Sequence, residues 1–202
     1  MVRRETIAGV VLAAGTSSRM GRNKMLLELA GQSVLRRAVR TALDAGLDPV
    51  LVVLGHESER ARGELADLGC EVVVNPEYQD GIHSSLRRGI HAVPERCAAA
   101  VVLLADMPLV DPGMIRTLVE RYCADAPPLV VSDYEGVDAP PILYDRRLFP
   151  ELRTLEGDGC GKRVVKRHTA EAIRVPWPAR TLTDLDLPGD LERVREQLGG
   201  RP

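Results

Sequence analysis

The decisive segment of this sequence reads Leu12-Ala13-Ala14-Gly15-Thr16-Ser17-Ser18-Arg19-Met20-Gly21-Arg22-Asn23-Lys24. Its glycines and other small residues allow backbone amides to approach a ligand closely, and amides in such a turn form a concave site for anions. Arg19 and Lys24 add fixed positive charge, which a bound triphosphate requires as counter-charge. The segment therefore predicts a loop that holds the phosphates of a nucleotide.

The glycine spacing of this loop separates it from two common nucleotide-binding loops. It matches neither G-x-x-x-x-G-K-[ST] nor the dinucleotide pattern G-x-G-x-x-G. The simpler alternative is a surface turn with incidental basic residues. The loop follows an apolar, strand-like segment directly, and this position favours a binding loop.

The fold around the loop is predicted by alternating strand-like and helical patterns. In residues 33–43 the apolar side chains recur at helical spacing, with Ser33 as the N-terminal cap and Gly46 near the end. A second helix is expected after Asp111-Pro112, a capping residue followed by proline. The strand-like segments are residues 7–12, 49–54, 71–74, 99–104 and 128–131. Apolar strands joined by helices predict an α/β fold, a doubly wound, mainly parallel sheet with helices on both faces and ligands at the carboxyl ends of the strands.

The second half of the chain has a less regular pattern. Residues 142–144 read as a strand, and residues 148–155 lead to a glycine-rich turn, so we expect a small inserted strand pair that faces an acceptor substrate. A terminal helix is expected over 188–198. Without a linker or repeat, residues 1–202 are predicted to form one domain, with a nucleotide-binding half at about 6–110 and an acceptor-binding half at about 111–191.

Composition and charge exclude several classes of protein. The formal net charge of -2 argues against a protein whose main partner is nucleic acid. No apolar run approaches the ~20 residues that span a bilayer, so we expect no membrane segment and a cytoplasmic location. Cys70, Cys97, Cys123 and Cys160 lack zinc-site spacing and are expected to be reduced thiols.

A carboxylate follows the fourth strand-like segment. Asp106 stands just beyond residues 101–104, at the strand end where ligands bind in such sheets. A carboxylate there can hold Mg²⁺ and leave coordination positions for phosphates and water. The alternative is an ordinary turn aspartate before Pro108.

The run Leu-Ala-Ala-Gly-x-x-x-Arg-Met-Gly-x-x-Lys, residues 12–24, resembles the signature of the MobA-like NTP-transferase family. The resemblance implies a Mg²⁺-dependent nucleotidyltransferase whose loop wraps a triphosphate. It gives Arg19, Lys24 and Asp106 catalytic roles, with Lys24 stabilising charge at the α-phosphate. The implied loop contacts to the nucleotide are Leu12, Ala13, Ala14, Gly15, Arg19, Gly21 and Lys24.

Two later segments extend the resemblance. Asn75-Pro76 and Gly81-x-x-Ser84-Ser85 are similar to the family's nucleoside-binding segment, which implies that Asn75 and Ser85 contact the nucleoside; a turn and a helix cap are the alternative. Residues 184–191 resemble the family's D-x-D-T-P-x-D-L stretch, which implies that Asp184 or Asp186, with Asp186 favoured, joins Asp106 at the metal. Asp190 is interpreted as a first-turn acid that favours the helix dipole.

The resemblance also suggests an acceptor and a nucleotide. Residues 135–144 and 155–163 are similar to segments that border the acceptor pocket in the family, and the second makes Asp158, Lys162 and Arg163 candidate contacts to an acceptor phosphate. The Ala13-Ala14-Gly15 form resembles the cytidylyltransferase branch, so CTP is the expected nucleotide. The run at residues 17–21 and the glycine-rich turn at 157–161 resemble the same branch, which implies molybdopterin or its molybdenum-loaded form as the acceptor, with a molybdoenzyme or maturation factor as an expected partner. Alternatives are a guanylyl-, sugar-phosphate or phospholactate-type transferase, a non-catalytic accessory protein, and a nicotinamide-dependent oxidoreductase, which the missing G-x-G-x-x-G disfavours.

Overall fold

The computed structural model of the chain describes residues 5–16, 23–157 and 159–199, which form a seven-stranded sheet with helices against both faces. The strands are β1 (Thr6–Ala13), β2 (Glu28–Leu29), β3 (Gln32–Ser33), β4 (Val50–Leu54), β5 (Glu71–Val74), β6 (Cys97–Leu104), β7 (Leu129–Tyr134), β8 (Val137–Asp145) and β9 (Ile173–Trp177). The helices are α1 (Val34–Asp44), α2 (Ser58–Gly63), α3 (Ile82–Ala92), α4 (Pro112–Asp125), α5 (Phe149–Arg153), α6 (Cys160–Arg167) and α7 (Pro188–Gly199). The expected fold class is confirmed.

The order of the sheet places the candidate site. Its strands run β5-β4-β1-β6-β8-β7-β9, and β2 and β3 form a separate two-stranded ribbon. Strands β5, β4, β1 and β6 are parallel neighbours, and β8 alone is antiparallel to the strands beside it. Because β7 and β9 share the direction of β6, the carboxyl ends of six strands meet at one edge. Among the described residues, the loop after β1 and the segment of Asp106 after β6 follow two of these ends.

The two faces of the sheet are covered by different helices. Alternate residues of a strand point to opposite faces, so neighbouring residues of β1 enter two separate cores. Val11 belongs to the core that contains buried residues of α1, α4 and α7, and Val10 to the core that contains those of α3, α5 and α6. Helix α3 lies especially close to β1, since a Cβ on Gly89 would be only 2.5 Å from Val10 Cγ1. These two cores hold the sheet edge in position beneath the site.

The helix boundaries follow the predicted capping residues. The Ser33 side chain accepts a hydrogen bond from the Arg36 amide, and Asp111 accepts bonds from the amides of Gly113 and Met114. Each bond pairs an amide that the first turn of a helix leaves without an internal partner. The predicted start of both helices is confirmed.

The second half of the chain differs from the expected strand pair. Strand β8 is a member of the main sheet, where it pairs with both β6 and β7, and residues 146–153 are helical. The apolar residues Leu148, Phe149, Leu152 and Leu155 recur at helical spacing and are buried, which is the physical reason for the helix. The strand pair is therefore formed by β7 and β8, and residues 146–155 form no strand.

Strand β8 tolerates two consecutive prolines because the ladder is interrupted where they lie. Its pairing with β7 shifts register between Val131 and Ser132, which pair with Ile142 and Ala139. Pro140 and Pro141 therefore form a bulge in β8 and have no pairing partner on β7. The Ser132 hydroxyl donates to the Pro141 carbonyl at 2.7 Å, and the Tyr134 hydroxyl donates to the Pro140 carbonyl at 2.8 Å. Side chains therefore replace the missing backbone pairs, and β8 reaches the sheet edge intact.

Among the helices of the described residues, none is both long enough and apolar enough to span a membrane. Cys70, Cys97 and Cys123 are free thiols, and burial raises the pKa of each.

Candidate active site

A cavity of about 390 Å³ opens at the end of β1, between the loop that follows this strand and the N-terminal end of α3. Leu12, Ala13, Ala14 and Gly15 line it, together with Thr16, as the sequence predicts for a nucleotide loop. The predicted contacts Arg19 and Gly21 lie outside the described residues. The described part of the loop presents backbone and small side chains to the cavity, as close approach to a ligand requires.

Lys24 lies on the wall of this cavity and makes a close contact with two carboxylates distant in the sequence. Its Nζ donates to Asp106 Oδ2 at 2.6 Å and to Asp186 Oδ1 at 3.0 Å, and its side chain is only 12% exposed. Burial by itself would lower the pKa of Lys24, but the two carboxylates outweigh it and raise the pKa above its ordinary value. The ammonium group is therefore charged and held in place.

Backbone contacts bring the two carboxylates to the same point. Asp106 follows β6, and the Ala105 amide donates to the Leu12 carbonyl at 3.1 Å, which fixes the turn beside the loop. The Leu185 amide in turn donates to the Asp106 carbonyl at 3.1 Å and carries Asp186 to the cavity. Both Asp106 and Asp186 line the cavity wall.

Asp190 has a more specific task than a favourable position in the helix dipole. Its buried carboxylate accepts hydrogen bonds from the amides of Leu187 at 2.7 Å and Asp186 at 2.9 Å. These backbone bonds, the Leu187 bond first, lower the pKa of Asp190. An acid in the first turn that reaches back to the preceding amides is the geometry of a capping box, and here it orients the Asp186 segment.

Asp184 stands apart from the contact that Asp186 makes. The residue is exposed, and it does not belong to the cavity wall. Desolvation of its carboxyl group by the surrounding protein, followed by the charges of Asp106 and Asp186, raises its pKa to about 6. Of the two aspartates that the sequence left open, Asp186 is the one that meets Asp106 on a common cation.

The structure separates the two expected nucleoside contacts. Ser85 lines the cavity, whereas Asn75 is buried behind it. The Asn75 amide nitrogen donates to Ser84 Oγ at 2.9 Å and to Ser85 Oγ at 3.0 Å, and its oxygen accepts from the Glu77 amide at 3.1 Å. Asn75 thus positions the serines, and Ser85 presents its hydroxyl to the cavity.

Tyr78, Gln79 and Ile82 also line the cavity, and the sequence analysis did not identify them. A Cβ on Gly55 would lie 2.5 Å from Tyr78 Cβ and 2.7 Å from the Ala14 carbonyl oxygen. Gly55 therefore allows the tyrosine and the phosphate loop to approach each other across the end of β4. This glycine directly after a predicted strand was the one available signal for the contact.

A second cavity of about 500 Å³ shares Leu12, Ile82 and Leu104 with the first. Its walls are mainly apolar, and β8, α3 and α6 contribute to them. Of the expected acceptor contacts, Lys162 lines this cavity, Asp158 lies outside the described residues, and the Arg163 side chain donates instead to the Glu156 carbonyl. Residues 136–140 of the segment expected beside the acceptor, Asp138 among them, also line this cavity, whereas Lys166 and Thr169 were not indicated by the sequence.

Asp138 lies on the wall of the second cavity and is bound by an arginine of the edge strand β9. Arg174 Nε and Nη2 bind the two carboxylate oxygens at 3.0 and 2.9 Å. Lys162 and Lys166 lie one helical turn apart on α6 and add two positive charges to the wall. The cavity thus combines an apolar interior with cations that suit an anionic group on a bulky ligand.

The MobA-like NTP transferase domain matches residues 9–172 of this chain, which include most of the sheet and, apart from Asp186, the walls of both cavities. The chain belongs to the MobA-like NTP transferase family. It is 31% identical to the purine catabolism protein PucB of Bacillus subtilis, over 98% of this chain and 100% of that protein. It is 30% identical to a probable molybdenum cofactor guanylyltransferase of Opitutus terrae, over 95% of this chain and 96% of the relative.

Among solved structures, Rv0371c of Mycobacterium tuberculosis superimposes with a TM-score of 0.85 at 31% identity, covering 96% of this chain and 100% of that chain. A complex of Rv0371c with manganese matches with a TM-score of 0.79 at 28% identity, with the same coverage. As a member of the MobA-like family the protein is a nucleotidyltransferase. Proteins of this family bind nucleoside triphosphates and phosphorylated acceptors, and nucleotidyltransferases typically use a divalent metal.

The residues of this MobA-like site fit a divalent ion. Asp106 and Asp186 offer hard oxygen ligands that already meet on one cation. No group of three His, Cys, Asp or Glu with metal-binding geometry occurs within residues 5–16, 23–157 and 159–199. Magnesium commonly takes one or two carboxylates and fills its other positions with water and substrate phosphates. The donor set therefore suits an ion that binds together with a nucleotide.

Proposed function

We propose that this protein transfers CMP from CTP to the phosphate of molybdopterin, or of its molybdenum-loaded form, in a Mg²⁺-dependent reaction that releases pyrophosphate. One observation carries the proposal: Lys24, Asp106 and Asp186 converge on the wall of a cavity that adjoins a larger and more apolar one. The first cavity is assigned to the nucleotide and the second to the acceptor. Transfer takes place where their walls are shared.

The residues that line the two cavities support the proposed organisation of the single domain into a nucleotide-binding half at 6–110 and an acceptor-binding half at 111–191. Apart from Asp186, every wall residue of the first cavity falls within residues 6–110. Most wall residues of the second fall within 111–191. We therefore assign nucleotide binding to the first range and acceptor binding to the second, with Asp186 returning from the C-terminal end to complete the first.

The chemical step requires no nucleophile from the protein. A phosphate oxygen of the acceptor attacks the α-phosphorus, the bond from this phosphorus to the bridging oxygen of the β-phosphate breaks, and pyrophosphate leaves with that electron pair. Lys24, and Arg19 by the family resemblance, neutralise charge on the phosphates, and the adjoining cavities align the reactants. When bound by Asp106 and Asp186, Mg²⁺ supplies Lewis-acid stabilisation of the phosphoryl charge.

The choice of molybdopterin is supported by the second cavity and by a relative. A cavity of about 500 Å³ with mainly apolar walls suits a ring system better than a small, fully polar acid such as phospholactate. Lys162 and Lys166 suit the phosphate of such an acceptor. The relative from Opitutus terrae carries the name of a molybdenum cofactor guanylyltransferase, which supports the acceptor and makes GTP the competing nucleotide. A molybdoenzyme or its maturation factor is the proposed recipient of the product.

The test is a pyrophosphate-release screen in which each of CTP, GTP, ATP and UTP is combined with Mg²⁺ and each of molybdopterin, a sugar 1-phosphate and phospholactate. We expect release with CTP and molybdopterin, a product whose mass equals acceptor phosphate plus CMP, and loss of release with EDTA. Asp106→Asn is the matched control, because it keeps the side-chain shape and removes the charge.

Each other outcome of the screen identifies a different activity. Release with GTP alone would replace the proposed nucleotide, and release with another acceptor would replace molybdopterin. Binding of CTP without any release would favour a non-catalytic accessory protein. Release that survives in Asp106→Asn would contradict the assignment of the metal carboxylates.

A further inference from the structure

Lys24 occupies the place between Asp106 and Asp186 that the proposed chemistry gives to a divalent ion. Its ammonium group contacts an oxygen of each carboxylate, at 2.6 and 3.0 Å. We propose that Lys24 and the divalent ion compete for these two carboxylates, and that nucleotide phosphates admit the ion by drawing Lys24 away. This inference rests on the proposed function for the identity of the nucleotide site, and it adds an internal cation that closes the metal site until substrate arrives.

The competition follows from charge and from shared ligand atoms. Asp106 Oδ2 lies 2.6 Å from the ammonium nitrogen of Lys24. A divalent ion bound to the same oxygen would therefore lie directly beside the ammonium group. Like charges at such separations repel most strongly beside Asp106, because the Lys24 and Asp106 side chains are only 12% and 21% exposed. The repulsion is weaker beside Asp186, whose side chain is 49% exposed. Binding of the ion between the two oxygens that Lys24 contacts therefore requires Lys24 to withdraw from them.

The phosphates of a nucleotide provide the place to which Lys24 can withdraw. Lys24 and the loop residues Ala13, Ala14 and Gly15 line the same cavity, so an anion held by the loop lies within the same chamber as the ammonium group. Exchange of carboxylate partners for phosphate partners keeps the ammonium charge paired throughout. The metal and the nucleotide are then coupled through one side chain, in addition to their direct contact.

The two carboxylates do not depend on Lys24 for their positions. The Asp106 backbone is bonded to the Leu185 amide, and the Asp186 amide is held by the Asp190 carboxylate at 2.9 Å. Removal of the ammonium group therefore leaves the backbone bonds of both aspartates in place and takes away the cation that their carboxylates share. Such a site should bind a divalent ion more tightly than the native protein does.

The test measures binding of Mn²⁺ to the full chain without nucleotide, from the loss of the EPR signal of the free ion. We expect Lys24→Met, which keeps the apolar stem and supplies no oxygen ligand, to bind Mn²⁺ more tightly than the native chain by about 5- to 150-fold, the usual range of coupling between linked sites. Lys166→Met changes the net charge equally and should leave the affinity unchanged. Adding Asp106→Asn to Lys24→Met should abolish the gain.

Unchanged or weaker Mn²⁺ binding by Lys24→Met would overturn the proposal, because Lys24 would then only organise the carboxylates. Equal gains in Lys24→Met and Lys166→Met would overturn it as well, since net charge alone would explain them. Neither measurement involves nucleotide or acceptor. Failure of the proposed transfer reaction would therefore be seen separately, as absence of pyrophosphate release by the native protein.

A second measurement uses the native protein and holds even if the variant does not fold. The sequence contains only the lysines Lys24, Lys162 and Lys166, so acetylation of each can be followed by mass spectrometry. Mn²⁺ should raise the rate at Lys24 relative to the other two, because the displaced amine loses its carboxylate partners. A rate at Lys24 that Mn²⁺ leaves unchanged or lowers would contradict the competition.

Discussion

The two adjoining cavities are built by different means. The nucleotide cavity is formed largely by a backbone loop, two carboxylates and one ammonium group, most of them next to strand ends. The acceptor cavity is an apolar surface assembled from side chains of β8, α3 and α6, with charges only at parts of its wall. Phosphate recognition needs amides and fixed charges at defined places, whereas a bulky acceptor needs a shape. We expect substitutions in the first cavity to affect transfer and nucleotide binding, and substitutions in the second to affect acceptor binding.

The largest effect is expected for Lys24→Ala. Removing one preorganised charge from the phosphoryl group should lower kcat by about 10²–10³-fold, the usual cost of losing such a group. Steady-state kinetics with saturating CTP and acceptor would measure the loss, and a thermal melt would show that the fold is retained.

The control for this prediction is Lys166→Ala, a lysine of the other cavity. It should raise the KM for the acceptor while kcat at saturation changes little. Near-normal turnover in Lys24→Ala, or an equal fall of kcat in both variants, would contradict the assignment of the transfer step to the first cavity.

The first half of the molecule could be predicted well because its signals are local. Buried parallel strands appear as apolar runs, so β1 and β6 were found within a few residues of their observed ends. Loop residues follow β1 directly, and Asp106 follows β6, so the fold class itself determines the sheet edge that they share. The choice between Asp184 and Asp186 needed the structure, because a spacing of two residues does not determine which side chain turns inward.

The second half shows why the rest could not be predicted. The hydroxyl groups of Ser132 and Tyr134 donate to the carbonyls of Pro141 and Pro140 in β8, and no local sequence pattern predicts these contacts. Lys166 and Asp138 reach the acceptor cavity from separate elements, so their proximity is a property of the tertiary structure. The family resemblance implies that Asn75 contacts the nucleoside. Its support of Ser84 and Ser85 could not be predicted, because it depends on the side-chain geometry.

A smaller effect than that of Lys24 is expected for Gly55→Ala. The added Cβ would lie 2.5 Å from Tyr78 Cβ and 2.7 Å from the Ala14 carbonyl oxygen, so the loop and the tyrosine must separate. Overpacking of this kind costs ~1–3 kcal/mol, and we expect the KM for CTP to rise by about tenfold or more. Gly63→Ala, whose Cβ would meet nothing within 4 Å, is the matched control and should leave both constants unchanged. A rise in the KM for the acceptor alone would refute the assignment of Tyr78 to the nucleotide side.

A comparable but more selective change is expected for Lys166→Gln. Loss of one charged hydrogen bond to the acceptor phosphate, worth ~1.5–3 kcal/mol and nearer the lower figure at an exposed site, should raise the KM for the acceptor about tenfold. The KM for CTP should stay within error. Arg163→Gln provides the comparison, because the Arg163 side chain bonds the Glu156 carbonyl and does not line the cavity. If Arg163→Gln had the larger effect on the acceptor, the proposed wall of the second cavity would be wrong.

The smallest effect is expected for Ser85→Ala, and it separates nucleotide binding from support of the cavity. Ser85 Oγ accepts a bond from Asn75, and among the described residues no acceptor is found for its own O–H, which leaves the proton for a ligand in the cavity. A neutral hydrogen bond contributes ~0.5–1.5 kcal/mol, so the KM for CTP should rise about two- to tenfold with kcat unchanged. Ser84→Ala is the contrasting variant, because the Ser84 hydroxyl bonds the carbonyls of Glu77 and Gly81 and faces away from the ligand. It should lower the melting temperature with little change in the KM. If both variants lost stability and neither changed the KM, the Asn75 and serine cluster would be purely structural, and base recognition would fall to the loop and to Gln79.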